Sequence, residues 1–182
     1  MKLPAVYAGK ILVVDLTSGD TEVLHTAPYA ERFLGGRGIA TKLYWDLVPP
    51  EAGAFDEENC LIAAVGPLAG LPAIGGSRWG LFGKSPFPEK DRFCYGNLGG
   101  YFGAELKFAG FDALVIRGKA PELSVLVVRG NEAGGASGGA SDGAPGTSGG
   151  SSGDAPWVEI VPAAEFGEKG LAGMAADRTI ET

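Results

Sequence analysis

Cysteine and histidine are scarce in this chain, and their scarcity excludes chemistry. Its 182 residues carry two cysteines, Cys60 and Cys94, and one histidine, His25. A [4Fe–4S] cluster normally takes four thiolates, so these side chains alone cannot ligate one. The two cysteines lie far apart with no CxxC, and at most they complete a partial metal site with carboxylate help. Both sit in apolar, strand-like surroundings, which predicts that they pack in the core as small hydrophobes. Nucleophilic catalysis of the Ser–His or Cys–His kind would have to use His25. That residue falls in "TEVLHTAP", on the outgoing arm of an expected hairpin, and reads as a solvated strand histidine.

Positive charge and long apolar runs are lacking too. Fifteen Lys and Arg against 22 Asp and Glu leave a net charge of −7. That balance argues against nucleic acid as a partner, since a phosphate backbone calls for a basic footprint. No apolar stretch approaches the ~20 residues of a membrane span. The opening "MKLPAVYAGKILVVDL" has no sustained apolar core of the secretory kind, so the expected location is cytoplasmic. The chain is 45% hydrophobic and 20% charged, an ordinary globular balance, and its length suits one domain or two small intertwined halves.

Glycine is abundant instead, at 31 residues. Much of the excess lies in residues 130–156, "GNEAGGASGGASDGAPGTSGGSSGDAP", which have almost nothing to bury and a large ordering cost. This segment is expected to be a flexible loop inserted in a hairpin, because closure entropy grows slowly with loop length. "KILVVDLTSGDTEVLHTA" reads as an earlier hairpin with glycine at its turn. A short helical turn, Gly-Gly and a helix carrying Ile39, Leu43 and Trp45 follow, ended by Pro49-Pro50. "NCLIAAVGPL", "SRWGLFGKSP" and "RFCYGNL" read as strands. A helix around Glu105 to Ala109 precedes the strands "DALVIRG" and "SVLVVRG". The tail "AAEFGEKGLAGMAADRTIET" looks helix-bound without a cap, which predicts a chain that stops before its fold is finished.

"FLGGRGIATKLYWD" (33–46) matches "NLGGYFGAELKFAGFD" (97–112) once short gaps are allowed. Each follows a strand–turn–strand segment and precedes a strand, which points to duplication. The expected fold is therefore α+β, built of two hairpin–helix–strand halves rather than regular βαβ alternation.

The second of those segments raises a chemical question. Asn97, Leu98, Gly99 and Gly100 stand where a strand gives way to a helix. The glycines serve either a tight turn and close helix packing, or bare backbone N–H groups that face an anion or a flat polar ligand.

Four pieces together, "GKILVVDLTSGD", "LGGRGIATKLYWDLVP", "LIAAVGPLAGLPAIGGSRWGLFGKSP" and "GNLGGYFGAELKFAGFDALVIRGKA", resemble the N-terminal domain of the aldehyde ferredoxin oxidoreductases. The resemblance runs from about residue 8 to about residue 170, interrupted by the Gly/Ser-rich segment. It implies a duplicated α+β unit that forms a base beneath a tungsten (or molybdenum) bis-pyranopterin, with a [4Fe–4S] cluster ligated elsewhere. It also implies ferredoxin as electron acceptor and a small aldehyde as substrate, and it allows a homodimer. Carried over by position, the cofactor-binding residues are Arg78, Asn97, Gly99 and Gly100. No catalytic or metal-ligating residue is expected in this chain. The residue types suit such a ligand, with a guanidinium fork for phosphate, an amide for a donor–acceptor ring edge, and glycine where the backbone must approach. Arg78 as an exposed strand residue and Asn97 as a turn former remain alternatives. "GGSRW" departs from the family pattern by its serine before the arginine, which leaves the turn geometry open.

Overall fold

The computed structural model describes residues 3–71, 75–87, 90–130 and 157–166. They fall in two compact units, residues 1–120 and 121–182.

The first unit is built on a six-stranded sheet. Strands β1 (Lys10–Asp15) and β2 (Thr21–His25) form the first hairpin. Its turn is held by Gly19 at φ 78° and by Asp15, whose Oδ1 accepts from the backbone N–H groups of Ser18 and Thr17 at 3.3 and 2.9 Å. These bonds, with Arg117 beside the carboxylate, lower the Asp15 pKa below the usual range. Helices α1 (Ala27–Phe33) and α2 (Arg37–Leu47) follow, then β3 (Cys60–Val65). Pro28 suits the first turn of α1, where its missing N–H is not needed. Val48, extended ahead of Pro49, ends α2 as a residue before proline should. The second hairpin is β4 (Trp79–Ser85) with β5 (Arg92–Leu98), followed by α3 (Phe102–Phe108) and β6 (Ala113–Arg117).

The sheet order is β2-β1-β6-β3-β4-β5. Central strands are apolar on both faces, as in β1, where Ile11, Leu12, Val13 and Val14 are all buried. Ile39, Ala40 and Leu43 of α2 cover one face, packing with Ile11, Ile62, Phe82 and Val115. Helix α3 lies on the other. A Cβ added at Gly103 would meet Trp79 Cβ at 3.1 Å and Val65 Cγ1 at 3.3 Å, so glycine permits that close approach.

The fold is α+β as expected, with hairpin, helix and strand in each half. The strand order also reads symmetrically when β1, β2 and β3 are exchanged with β4, β5 and β6. Strand sense does not follow that symmetry, because β1 is parallel to β6 while β4 is antiparallel to β3. The cause is the connection lengths. The 11-residue α2 and the stretch after it carry the chain to the far end of the sheet before β3 begins. The seven-residue α3 is reversed at Gly110, φ 94°, and returns the chain at the same end. The two halves thus share a hairpin, a helix and a strand, with α1 an additional helix in the first, but not one topology.

Three single-residue expectations separate. Cys60 is buried, but Cys94 is exposed, because β5 is the sheet edge and all seven of its residues are open to solvent. His25 is exposed on β2, as its strand context predicted. Ile39 and Leu43 are buried on α2, whereas Trp45 is 81% exposed on its outer side.

In the second unit, β7 (Ser124–Arg129) pairs antiparallel with β8 (Trp157–Pro162), and a 3₁₀ turn (Ala163–Phe166) follows. The strands on either side of the Gly/Ser-rich segment therefore form the expected hairpin. That segment from residue 131 to 156 and the tail from residue 167 lie outside the described residues.

Candidate functional site

Strand direction gathers the glycine-rich turns at one end of the sheet. There β3 and β5 finish and β1, β4 and β6 begin. The β4–β5 register pairs Gly80 with Asn97 and Trp79 with Leu98. Arg78 and Gly99 are consequently the first residues beyond the ladder on adjacent strands. Two pieces of sequence nearly twenty residues apart are brought side by side by a hairpin.

All four residues singled out in the sequence are exposed at this end. Gly100 has φ 85°, a conformation that costs any L side chain about 1–2 kcal/mol. A Cβ at Gly99 or Gly100 would meet nothing within 4 Å, so open space lies over both. No carboxylate among the described residues pairs with Arg78, and no described group hydrogen-bonds the Asn97 amide. A charged fork, an uncommitted amide and two bare glycines make a donor-rich, sterically clear edge. That set fits a phosphate-bearing, planar, polar group such as a pyranopterin. No cluster of metal-ligating side chains occurs among the described residues.

The first Leu-Gly-Gly turn stands at the same end. The Gly36 N–H donates to the Val65 carbonyl at 2.9 Å, at the last residue of β3. Leu34 adopts φ 62°, ψ −64°, and the Gly35 N–H donates to the Phe33 carbonyl at 2.7 Å, a tight and strained turn for a non-glycine residue. Tyr7 braces it, its hydroxyl donating to the Leu34 carbonyl at 2.6 Å.

Arg37 is a cation that sequence reasoning passed over. Its guanidinium lies 4.0 Å from the centre of the Tyr95 ring, and strand alternation puts Tyr95 on the same face as Asn97. The signal was present in "GGRG", the arginine directly after the first Leu-Gly-Gly. Only the fold brings it beside β5.

Asp112 anchors this end from within. It is 2% exposed and accepts from the backbone N–H groups of Ala8 and Gly9, at 3.1 and 2.8 Å, and from Thr26 Oγ1 at 2.7 Å. Lys107, at the end of α3, forms an ion pair with it. Every lone-pair direction of the carboxylate is engaged, which is what makes a buried charge tolerable.

The family model described as "Aldehyde ferredoxin oxidoreductase, N-terminal domain" matches residues 11–137. The chain belongs to this family. Among curated relatives, the "Tungsten-containing aldehyde ferredoxin oxidoreductase" of Pyrococcus abyssi (strain GE5 / Orsay) is 44% identical over 115 residues, 63% of this chain and 19% of the relative. The "Aliphatic sulfonate oxidoreductase, WOR-like subunit" of Pyrococcus furiosus (strain ATCC 43587 / DSM 3638 / JCM 8422 / Vc1) is 37% identical over 118 residues, 63% of this chain and 18% of the relative. A solved structure, "Active site complex BamBC of Benzoyl Coenzyme A reductase in complex with 1,5 Dienoyl-CoA", is similar with a TM-score of 0.62 and 42% identity, over 66% of this chain and 18% of that one. The chain thus spans about a fifth of the length of the relatives it matches. All three are named as oxidoreductases or a reductase, and the first is named for tungsten.

Proposed function

We propose that this member of the aldehyde ferredoxin oxidoreductase family is the cofactor-cradling N-terminal part of a tungsten-dependent enzyme. In the whole protein an aldehyde and water become a carboxylic acid, two protons and two electrons, and the electrons pass through a [4Fe–4S] cluster to ferredoxin. Residues 1–182 are one N-terminal domain in this reading, with the cluster ligands elsewhere. The observation that carries it is the β4–β5 register, which sets Arg78 beside the Asn97–Gly100 turn, with the Arg78 guanidinium and the Asn97 side-chain amide uncommitted among the described residues.

When bound, the metallopterin supplies the two-electron redox chemistry. The chain's own residues bind and orient. Arg78 offers two parallel N–H donors to a phosphate, Asn97 meets the donor–acceptor edge of the ring, and Gly99 and Gly100 let the backbone come close. Arg78→Lys should weaken retention of the cofactor, since a lysine supplies a point charge in place of a fork. Asn97→Leu should cost about 1–3 kcal/mol through an unpaired ring edge. Gly99→Val should be worse than either, because its branched Cβ would fill the open space. Tungsten by elemental analysis and pterin by fluorescence of its oxidised form, in whole-protein variants, test this. Full cofactor content in folded variants would return these positions to turn and surface roles.

A second reading has an observation behind it. The similar benzoyl-CoA reductase complex suggests that the same cradle serves low-potential reduction of an aromatic thioester. Assaying the whole protein with aldehydes and with an aromatic acyl thioester separates the two. A stand-alone scaffold without catalysis is the third reading, and absence of both activities and of tungsten would favour it.

A further inference from the structure

Trp79 opens β4 directly after Arg78, and its indole Nε1–H donates to the Gly99 carbonyl at 3.1 Å. Its ring packs on Phe102, the first residue of α3, with centroids 4.4 Å apart at 43°. The close approach of Gly103 to Trp79 Cβ presses α3 against the same side chain. One indole therefore ties the strand bearing Arg78 to the turn bearing Asn97, Gly99 and Gly100, and its neighbours stop it from swinging away.

We infer that Trp79 is a positioning residue for the cofactor-binding turn. This rests on the proposed cofactor role of that turn and adds the residue that aims it. A trans peptide is planar, with its C=O and N–H pointing in opposite directions. Holding the Gly99 carbonyl toward the indole turns the Gly100 N–H of the same peptide away from it. No described group accepts from that N–H, so it remains available to a ligand. Glycine at both positions leaves the peptide free to flip, since neither residue favours one backbone basin. The indole bond removes that freedom. Without it, a ligand would have to order the turn as it binds.

The variant that removes the bond is Trp79→Phe, which keeps an aromatic ring against Phe102 and deletes the N–H together with part of the indole. In the unmutated chain, the Trp79 indole proton should exchange with solvent at least about tenfold more slowly than a free indole, as a proton held in a hydrogen bond does. In W79F, the amide resonances of Gly99, Gly100 and Tyr101 should shift and broaden while those of β1, β3 and β6 stay in place. In the whole oxidoreductase, W79F should retain metallopterin about fivefold more weakly through dialysis, the effect of one neutral hydrogen bond. An indole proton exchanging at the free rate would overturn the inference even if W79F fails to fold. So would full cofactor retention by W79F in a background where Arg78→Lys and Asn97→Leu lose it, and the cofactor reading would then stand alone. Full retention by all three variants would instead bring down the cofactor reading, and the role of Trp79 with it.

Discussion

Burial pushes the Cys60 thiol up to about 12, whereas Cys94 stands exposed on β5. The thiolate is the reactive form, so the two cysteines should differ sharply toward an alkylating reagent. Iodoacetamide at about pH 8 should modify Cys94 in the native chain and reach Cys60 only after denaturation, as read by peptide mass. A folded value above the unfolded one means that protonated Cys60 stabilises the fold fully below the free thiol's pKa. That contribution disappears as pH rises toward about 12. At Asp112 the stakes are higher. Asp112→Ala would strand Lys107, two backbone N–H groups and the Thr26 hydroxyl around a small void. Breaking a buried pair of this kind costs about 3–5 kcal/mol. A urea unfolding curve should show that loss, and a change under about 1 kcal/mol would mean the network is dispensable.

Among the elements, α3 is one whose placement depends on a single atom. The hydrogen at Gly103 is what lets the helix sit against Val65 and Trp79, and the nearest obstacles to a Cβ are the Ser77 carbonyl oxygen and Trp79 Cβ, both at 3.1 Å. These cannot easily give way, one being backbone and the other the root of a pinned side chain. Gly103→Val should destabilise by about 1–3 kcal/mol, the usual cost of overpacking. It should also displace the Gly99–Gly100 turn, seen as amide shifts there. Gly100→Ala works differently. Open space receives its methyl group, and the loss of about 1–2 kcal/mol comes from the backbone angle alone. Thermal melts of the two variants, compared with their amide spectra, separate crowding from strain.

On the scale of the whole molecule, the chain has two cysteines, too few to ligate a [4Fe–4S] cluster by itself. Reconstitution of the 182-residue chain with iron and sulfide should yield no [4Fe–4S] absorption and no stoichiometric iron, because it has two cysteines where four are needed. Stable iron and acid-labile sulfide at cluster stoichiometry would contradict this. Among the described residues no helix is long and apolar enough to cross a membrane.

Much of this protein could be read directly from its residues. Apolar runs such as "ILVV" and "LIAAV" announce buried strands because a strand covered on both faces has no need of alternation. Ser-Gly-Asp marks the first hairpin turn, and Pro49-Pro50 the end of α2, through local backbone preferences that need no tertiary context. The four candidate site residues came from sequence as well, carried by a family resemblance rather than by any periodicity. Tertiary structure decided the rest. "RFCYGNL" reads like an interior strand, yet its place at the sheet edge exposes Cys94, which local pattern cannot report. The repeated Leu-Gly-Gly segments suggested two equal halves, but connection length after the helix sets strand sense, and α2 and α3 differ in it. Arg37 meets Tyr95, and Trp79 meets Gly99, across separations that only the sheet closes. Local chemistry determines which elements form, because each residue's backbone preference acts over a few neighbours. Which surfaces those elements bury, and which polar groups they leave for a ligand, depends on contacts between segments distant in the chain.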